Sequence, residues 1–175
     1  MDQALEAVAA ALRAGRISSA ELVEEAIRRH EDRGSGLHAY KLFDAEGARA
    51  AAARADAMLA RGGSVPPLCG IPVSVKDLYG VEGMPTYAGT VRELPAPWAR
   101  DGWLVGRLRE QGAVFMGKTH TVEFALGAVG FNPNWETPRN PWDRRVHRIP
   151  GGSSSGAGVS LWEGSALIAL GSDTG

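Results

Sequence analysis

Cysteine is almost absent from this sequence of 175 residues, in which Cys69 stands alone. A single cysteine excludes a framework of internal disulfides and is typical of a reducing compartment. The thiol could act as a nucleophile, but its place directly before Gly70 favours a small packing residue. The reactive groups of this protein are therefore expected at other positions in the sequence.

Long apolar runs and an excess of one charge are also missing. No run approaches the roughly 20 apolar residues that span a bilayer. We expect no signal peptide, because Met1 to Gln3 are acidic and no basic stretch precedes a hydrophobic one. The 19 basic and 20 acidic residues leave a net charge of −1, which argues against nucleic acid or an anionic membrane as a partner. We therefore expect a cytoplasmic protein with neither of these partners.

The composition is otherwise that of a globular domain, with 44% hydrophobic and 22% charged residues. The length is sufficient for one domain with a hydrophobic core. Glycine is in excess, at 23 residues, and much of the excess lies between 151 and 175. Such a concentration indicates tight turns or a backbone pressed close to a neighbour.

Residues 2–62 show helical periodicity and predict helices near 4–15, 18–30 and 44–59. The second begins at a capping box formed by Ser18 and Glu21. From Leu68 onward short β-prone runs alternate with helical ones, which is typical of an α/β domain. We therefore predict an N-terminal helical segment, 1–64, followed by an α/β core, 65–175. Within the core we expect strands at 71–75, 113–116 and 166–170, helices at 101–111 and 154–162, and a surface loop at 133–150.

Three motifs resemble known sites but lack the required context. Residues 112–119 match the phosphate-loop pattern, yet the apolar residues between the glycines favour a buried strand over a phosphate-binding loop. Ser154 is the centre of a G-x-S-x-G pattern, but no strand leads into it and every histidine precedes it. His120 and Glu123 have helix-face spacing without a third metal ligand, which favours a surface or capping role.

A more specific combination consists of three segments in order. They are Gly70-Ile-Pro-Val-Ser-Val-Lys-Asp77, Pro150-Gly-Gly-Ser-Ser-Ser-Gly156 and Leu170-Gly-Ser-Asp-Thr-Gly175. Together with Gly117-Lys-Thr119 and Asn140-Pro-Trp142, they resemble the amidase signature family, here its N-terminal part only. The resemblance implies an α/β fold with a mixed sheet flanked by helices, incomplete in this chain.

The same resemblance implies a catalytic set of a lysine, a serine preceded by a cis peptide bond, and a nucleophilic serine. Lys76 matches the lysine and Ser153 the cis-serine, whereas the nucleophile is expected about two residues beyond Gly175. Thr174 and Gly175 resemble the start of the oxyanion hole, whose donors each contribute roughly 3–4 kcal/mol. The remaining matches, expected to hold the turn by hydrogen bonds, are Ser154, Ser172 and Asp173.

Lysine can take a proton from serine only when it is neutral. With an ordinary pKa of about 10.4, only about one lysine in a few thousand is neutral at pH 7. Burial lowers that pKa by up to roughly 3–5 units, because desolvation disfavours the ammonium. We expect the apolar residues Ile71, Val73 and Val75 to supply this burial around Lys76.

The function implied is an amidase that hydrolyses a small carboxylic amide through an acyl-enzyme, without cofactor or metal. Two alternatives stay open. The chain is a non-catalytic fragment, or half of a split protein, that works only with the C-terminal part of the same fold, or it is part of a transamidating amidotransferase subunit. A homodimer is also possible. Amide hydrolysis by the chain alone and with the C-terminal part separates the first alternative from an independent amidase.

Overall fold

The computed structural model describes residues 4–143 and 145–173, apart from the side chain of Ser35. Five α-helices and four strands are found in this part of the chain. The helices are α1 (Leu5–Arg13), α2 (Ser19–Arg33), α3 (Ala45–Arg61), α4 (Trp103–Glu110) and α5 (Ala157–Glu163). The strands are β1 (Tyr40–Phe43), β2 (Pro72–Lys76), β3 (Val114–Thr119) and β4 (Ile168–Leu170).

The strands form one mixed sheet in the order β1-β3-β2-β4. β2 runs parallel to both β3 and β4, and β1 runs antiparallel to β3. The carboxyl ends of the parallel strands therefore meet at one edge of the sheet, where Lys76 is paired with Thr119. Tyr40, at the start of β1, is paired with the same Thr119.

Helices cover both faces of this sheet. On one face, α1 and α4 pack against Val73 and Val75 of β2 and Phe115 of β3. On the other, α2 and α3 pack against Val114 and Met116 of β3. Successive strand residues point to opposite faces, so β3 supplies both layers of the core. The mixed α/β fold predicted from the sequence is confirmed.

The predicted capping box of α2 is present, with the Ser18 side chain accepting from the Glu21 backbone and the Glu21 side chain accepting in return. The apolar stripe of α1 is buried through Val8 and Leu12. The predicted loop at 133–150 contains no helix or strand in its described residues. The helix features followed from periodicity and capping chemistry, and the loop followed from its prolines and charges.

Two predicted elements were wrong in part. Residues 40–43 form a strand within the segment that was expected to be helical, and this strand joins the central sheet. The last helix begins at Ala157, not at residue 154, because residues 153–155 form a tight turn whose Ser155 N–H bonds back to the Ser153 carbonyl. A domain boundary near residue 64 stays a prediction.

Candidate active site

Lys76 is the last residue of β2, and its side chain has no solvent-exposed surface. Its Nζ lies 2.7 Å from Ser153 Oγ and 2.8 Å from Ser172 Oγ. These three residues come from positions far apart in the chain, and the parallel strands with the turn before α5 bring them together. The structure therefore places a buried amine between two hydroxyl groups.

Burial lowers the pKa of Lys76, while the negative charge of Asp173 opposes this shift and raises it. The prediction that Ile71, Val73 and Val75 enclose Lys76 is wrong. Val73 and Val75 are fully buried, but they belong to the core under α1 and α4, on the opposite face of β2. Lys76 instead shares its face with Ser74, whose Oγ lies 2.9 Å from Ser160 Oγ of α5.

Ser153 stands in a turn that is held mainly through its backbone. The Gly152–Ser153 peptide is cis. The Ser153 carbonyl accepts hydrogen bonds from Val122 N at 3.0 Å and from Thr121 Oγ1 at 3.1 Å. A Cβ on Gly152 would lie 2.7 Å from the backbone nitrogen of Gly130, so glycine is required at this close approach. The turn is thereby locked against the segment that follows β3.

Ser154 and Ser172 join this turn to the segment after β4. Ser172 N donates to Ser154 Oγ at 3.1 Å, and Ser154 Oγ donates to the Ser172 carbonyl at 3.3 Å. The Tyr79 hydroxyl donates to the Gly171 carbonyl at 3.0 Å. Asp173 is exposed, and its charge acts on Lys76. The predicted oxyanion residues Thr174 and Gly175 lie outside the described residues.

Sequence reasoning missed a second buried lysine at the same edge of the sheet. Lys118 Nζ lies 2.9 Å from the Asp77 carboxylate, and both side chains are almost wholly buried. Lys118 also donates to Thr86 Oγ1 at 2.8 Å, and Asp77 accepts from Tyr87 N at 3.2 Å. Burial lowers the pKa of Lys118, and the Asp77 carboxylate opposes that shift. The sequence feature that could have indicated this buried ion pair was the polar Lys76-Asp77 pair at the end of a buried strand.

The motifs that only resemble known sites are explained by the fold. Gly117, Lys118 and Thr119 lie within β3 and form no phosphate-binding loop. His120 is buried, so the predicted surface role is wrong; burial, with a contribution from Lys41, lowers the pKa of His120 to about 4. Within 4–143 and 145–173, no three His, Cys, Asp or Glu side chains are grouped to hold a metal ion.

Among the helices of the described residues, none combines the length and the apolar character needed to cross a bilayer.

The sequence matches a protein family described as Amidase over residues 21–175. The chain belongs to the amidase signature family. The resemblance noted in the sequence is thereby confirmed.

Curated members of the amidase signature family align with nearly all of the chain. A 2-amino-5-chloromuconic acid deaminase from Comamonas testosteroni is 52% identical over 166 residues, which are 95% of this chain and 36% of that protein. The A subunit of the glutamyl-tRNA(Gln) amidotransferase from Anaeromyxobacter dehalogenans is 42% identical over 172 residues, covering 98% and 34% of the two chains.

The fold also matches solved structures of this family. The native peptide amidase from Stenotrophomonas maltophilia has a TM-score of 0.84 and 31% identity. The aligned part covers 96% of this chain and 35% of the peptide amidase. The chain thus spans about a third of the length of the relatives that it matches.

Proposed function

We propose that this chain supplies the base and the bridging hydroxyl of a site that hydrolyses carbon–nitrogen bonds. Lys76, in its neutral form, accepts a proton through Ser153 from a nucleophilic serine expected C-terminal to Gly175. The observation that supports this proposal best is the 2.7 Å contact between the buried Lys76 Nζ and Ser153 Oγ. General-base catalysis of this kind contributes about 10²–10⁴-fold to the rate.

The hydroxyl of Ser153 suits a relay because it can donate one hydrogen and accept another. When Lys76 is neutral, the Ser153 hydroxyl donates to Nζ and its oxygen is free to accept from the nucleophile. Protonated Lys76 later returns the proton along the same path to the leaving amine. Burial of Lys76 supports this cycle because it raises the fraction of neutral amine at neutral pH.

The other matched residues receive supporting roles in the proposal. Ser154 and Ser172 join the turn of Ser153 to the segment after β4 through their reciprocal hydrogen bonds. The backbone N–H groups of Thr174 and Gly175 would contribute to the oxyanion hole. With a carboxamide substrate, attack by the serine on the carbonyl carbon expels the amine and leaves an acyl-enzyme, which water then hydrolyses to the acid.

The substrate class proposed is a small molecule that loses ammonia when its carbon–nitrogen bond is hydrolysed. The 52% identical relative is a deaminase of 2-amino-5-chloromuconic acid, and the structural relative is a peptide amidase. The first name denotes removal of an amino group and the second denotes cleavage of an amide, and both reactions break a carbon–nitrogen bond. A transamidating role is the second candidate, because one amidotransferase A subunit is 42% identical to this chain over 172 residues.

Ammonia release tests the proposal. The protein expressed from the complete coding region, and separately the 175-residue chain, are incubated with a simple carboxamide and with 2-amino-5-chloromuconic acid. Lys76→Met is expected to lower kcat by at least about 10²-fold, because the neutral amine is lost. Arg107→Met is the control, since Arg107 is an exposed cation on α4, and it should retain the rate. Near-normal turnover by Lys76→Met would remove Lys76 from the mechanism.

The same assay separates the alternatives. Turnover by the 175-residue chain alone would exclude the split-protein hypothesis, whereas turnover only by the complete product would support it. Ammonia transfer to added glutamyl-tRNA, with ATP supplied to activate the acceptor carboxylate, would favour the transamidating role. Hydrolysis of the free amide without any acceptor would favour an independent amidase.

A further inference from the structure

The distribution of lysine is unusual, since only three of the 19 lysine and arginine residues are lysines. All three, Lys41, Lys76 and Lys118, lie at the same edge of the sheet. Lys76 and Lys118 are fully buried, and the Lys41 ammonium lies 3.5 Å from the ring centre of Trp135. Two of the three lysines are therefore fully buried, and the third is half-buried beside an aromatic ring.

The two fully buried lysines have different partners. Lys76 contacts serine hydroxyls, whereas Lys118 forms an ion pair with Asp77 at 2.9 Å. Asp77 directly follows Lys76 in the chain, and Lys118 directly precedes Thr119, the register partner of Lys76. The ion pair thus joins the two strand ends that carry the candidate site.

Asp77 is held from several directions. Its backbone N–H donates to the Thr119 carbonyl at 3.0 Å, and its carboxylate accepts from Tyr87 N at 3.2 Å as well as from Lys118. Thr86, adjacent to Tyr87, accepts from Lys118 at 2.8 Å. The end of β2 therefore has little freedom to rotate, and the direction of the Lys76 side chain depends on that end.

We propose that Asp77 and Lys118 are positioning residues, whose ion pair fixes the end of β2 and keeps Lys76 Nζ enclosed between Ser153 and Ser172. The proposal rests on the proposed function of Lys76 as the base. Replacing a buried ion pair by apolar residues is often neutral or stabilising, so the pair is poorly explained as a source of stability alone. Its place beside Lys76 is consistent with a role in geometry.

Several charged groups face these residues. Burial lowers the pKa of Lys76, and the charge of Asp173 opposes this shift. Burial raises the pKa of Asp77, and the charges of Lys118 and Lys41 oppose that shift. His120, with its pKa near 4, carries no charge at neutral pH. Lys41 approaches the Tyr87 and Trp135 rings, and its charge acts on Asp77, so it is unsuitable as a control in this test.

The test measures the pKa of Lys76 directly by ¹³C NMR of protein labelled at lysine Cε. The product of the complete coding region is used, and the Lys76 signal is assigned by its loss in Lys76→Arg. In Lys118→Met we expect the pKa of Lys76 to rise by at least about one unit toward 10.5, because Nζ loses its enclosure. Lys118→Arg, which keeps the cation, should shift the pKa of Lys76 less. Arg107→Met, which removes an exposed cation of α4, is the control and should leave the pKa of Lys76 unchanged.

Kinetics provide the second readout. Lys118→Met should lower kcat by about 10–100-fold with little change in KM, as expected when a catalytic group is displaced by about 1 Å. Asp77→Asn, which keeps an acceptor for Tyr87 N, should also lower kcat. Retention of the fold is checked by circular dichroism.

An unchanged pKa of Lys76 in folded Lys118→Met and folded Asp77→Asn would overturn the proposal. Unfolding of all the Asp77 and Lys118 variants would also overturn it, because the pair would then support the fold as a whole. These outcomes differ from failure of the proposed function, which would appear as full activity of Lys76→Met.

Discussion

Gly156 offers a sharp test of how the turn of Ser153 is packed against the sheet. Its N–H donates to the His120 carbonyl at 3.0 Å. A Cβ at this position would lie 2.0 Å from the Ala39 carbonyl oxygen, 2.8 Å from His120 N and 2.9 Å from Thr119 Cβ. Two of these three atoms belong to the backbone, so they cannot move aside by a change of rotamer. Gly156→Ala must displace either β1 or the turn itself.

The expected cost is at the upper end of that for overpacking, about 3 kcal/mol. For a chain of this length, that corresponds to a fall in Tm of about 6–12 °C. Gly158→Ala is the matched control, because a Cβ there meets nothing within 4 Å and the position lies in α5. It should stabilise the protein by about 0.5–1 kcal/mol.

Urea unfolding followed by circular dichroism measures both variants. A loss of stability in Gly156→Ala together with a gain in Gly158→Ala, only two residues away, would support the described packing. Equal stability of Gly156→Ala and the unaltered protein would contradict the close approach of the turn to β1 and β3.

Two further predictions concern buried polar groups. Because burial lowers the pKa of His120 to about 4, below the ordinary 6.5, the unfolded state binds a proton more readily between these values. Stability should therefore fall as the pH drops from about 6.5 to about 4, by up to about 3 kcal/mol, and urea unfolding of His120→Asn should lack this part of the loss. Ser160→Ala removes the 2.9 Å partner of the buried Ser74 hydroxyl and should cost about 1–3 kcal/mol in the same assay. A cost near zero would show that Ser74 is satisfied elsewhere.

Local signals in the sequence predicted the elements that depend on local chemistry. The capping box of Ser18 and Glu21 and the apolar stripe of α1 need only neighbouring residues, and both were confirmed. Strand β1 was missed because a segment of four residues carries little periodicity of its own. Its strand conformation depends on pairing with β3, more than 70 positions away.

The site was predictable to the extent that its residues belong to recognisable segments. Lys76 and Ser153 were named from the sequence, and the structure brings their side chains within 2.7 Å. The ion pair of Asp77 and Lys118 was not predicted, because a lysine after a glycine in a strand gives no sign of its partner. The burial of His120 was also missed, since it depends on the packing of the loops around the sheet edge.

The charge state of the Lys76 amine is the property on which the proposed mechanism depends. Its pKa, measured by ¹³C NMR titration of lysine Cε in the folded protein, tests this property without any knowledge of the substrate. We predict a value well below 10.5, because Nζ is buried between Ser153 and Ser172. A value at or above 10.5 would mean that the amine stays charged at neutral pH, and it would contradict the role of Lys76 as the base.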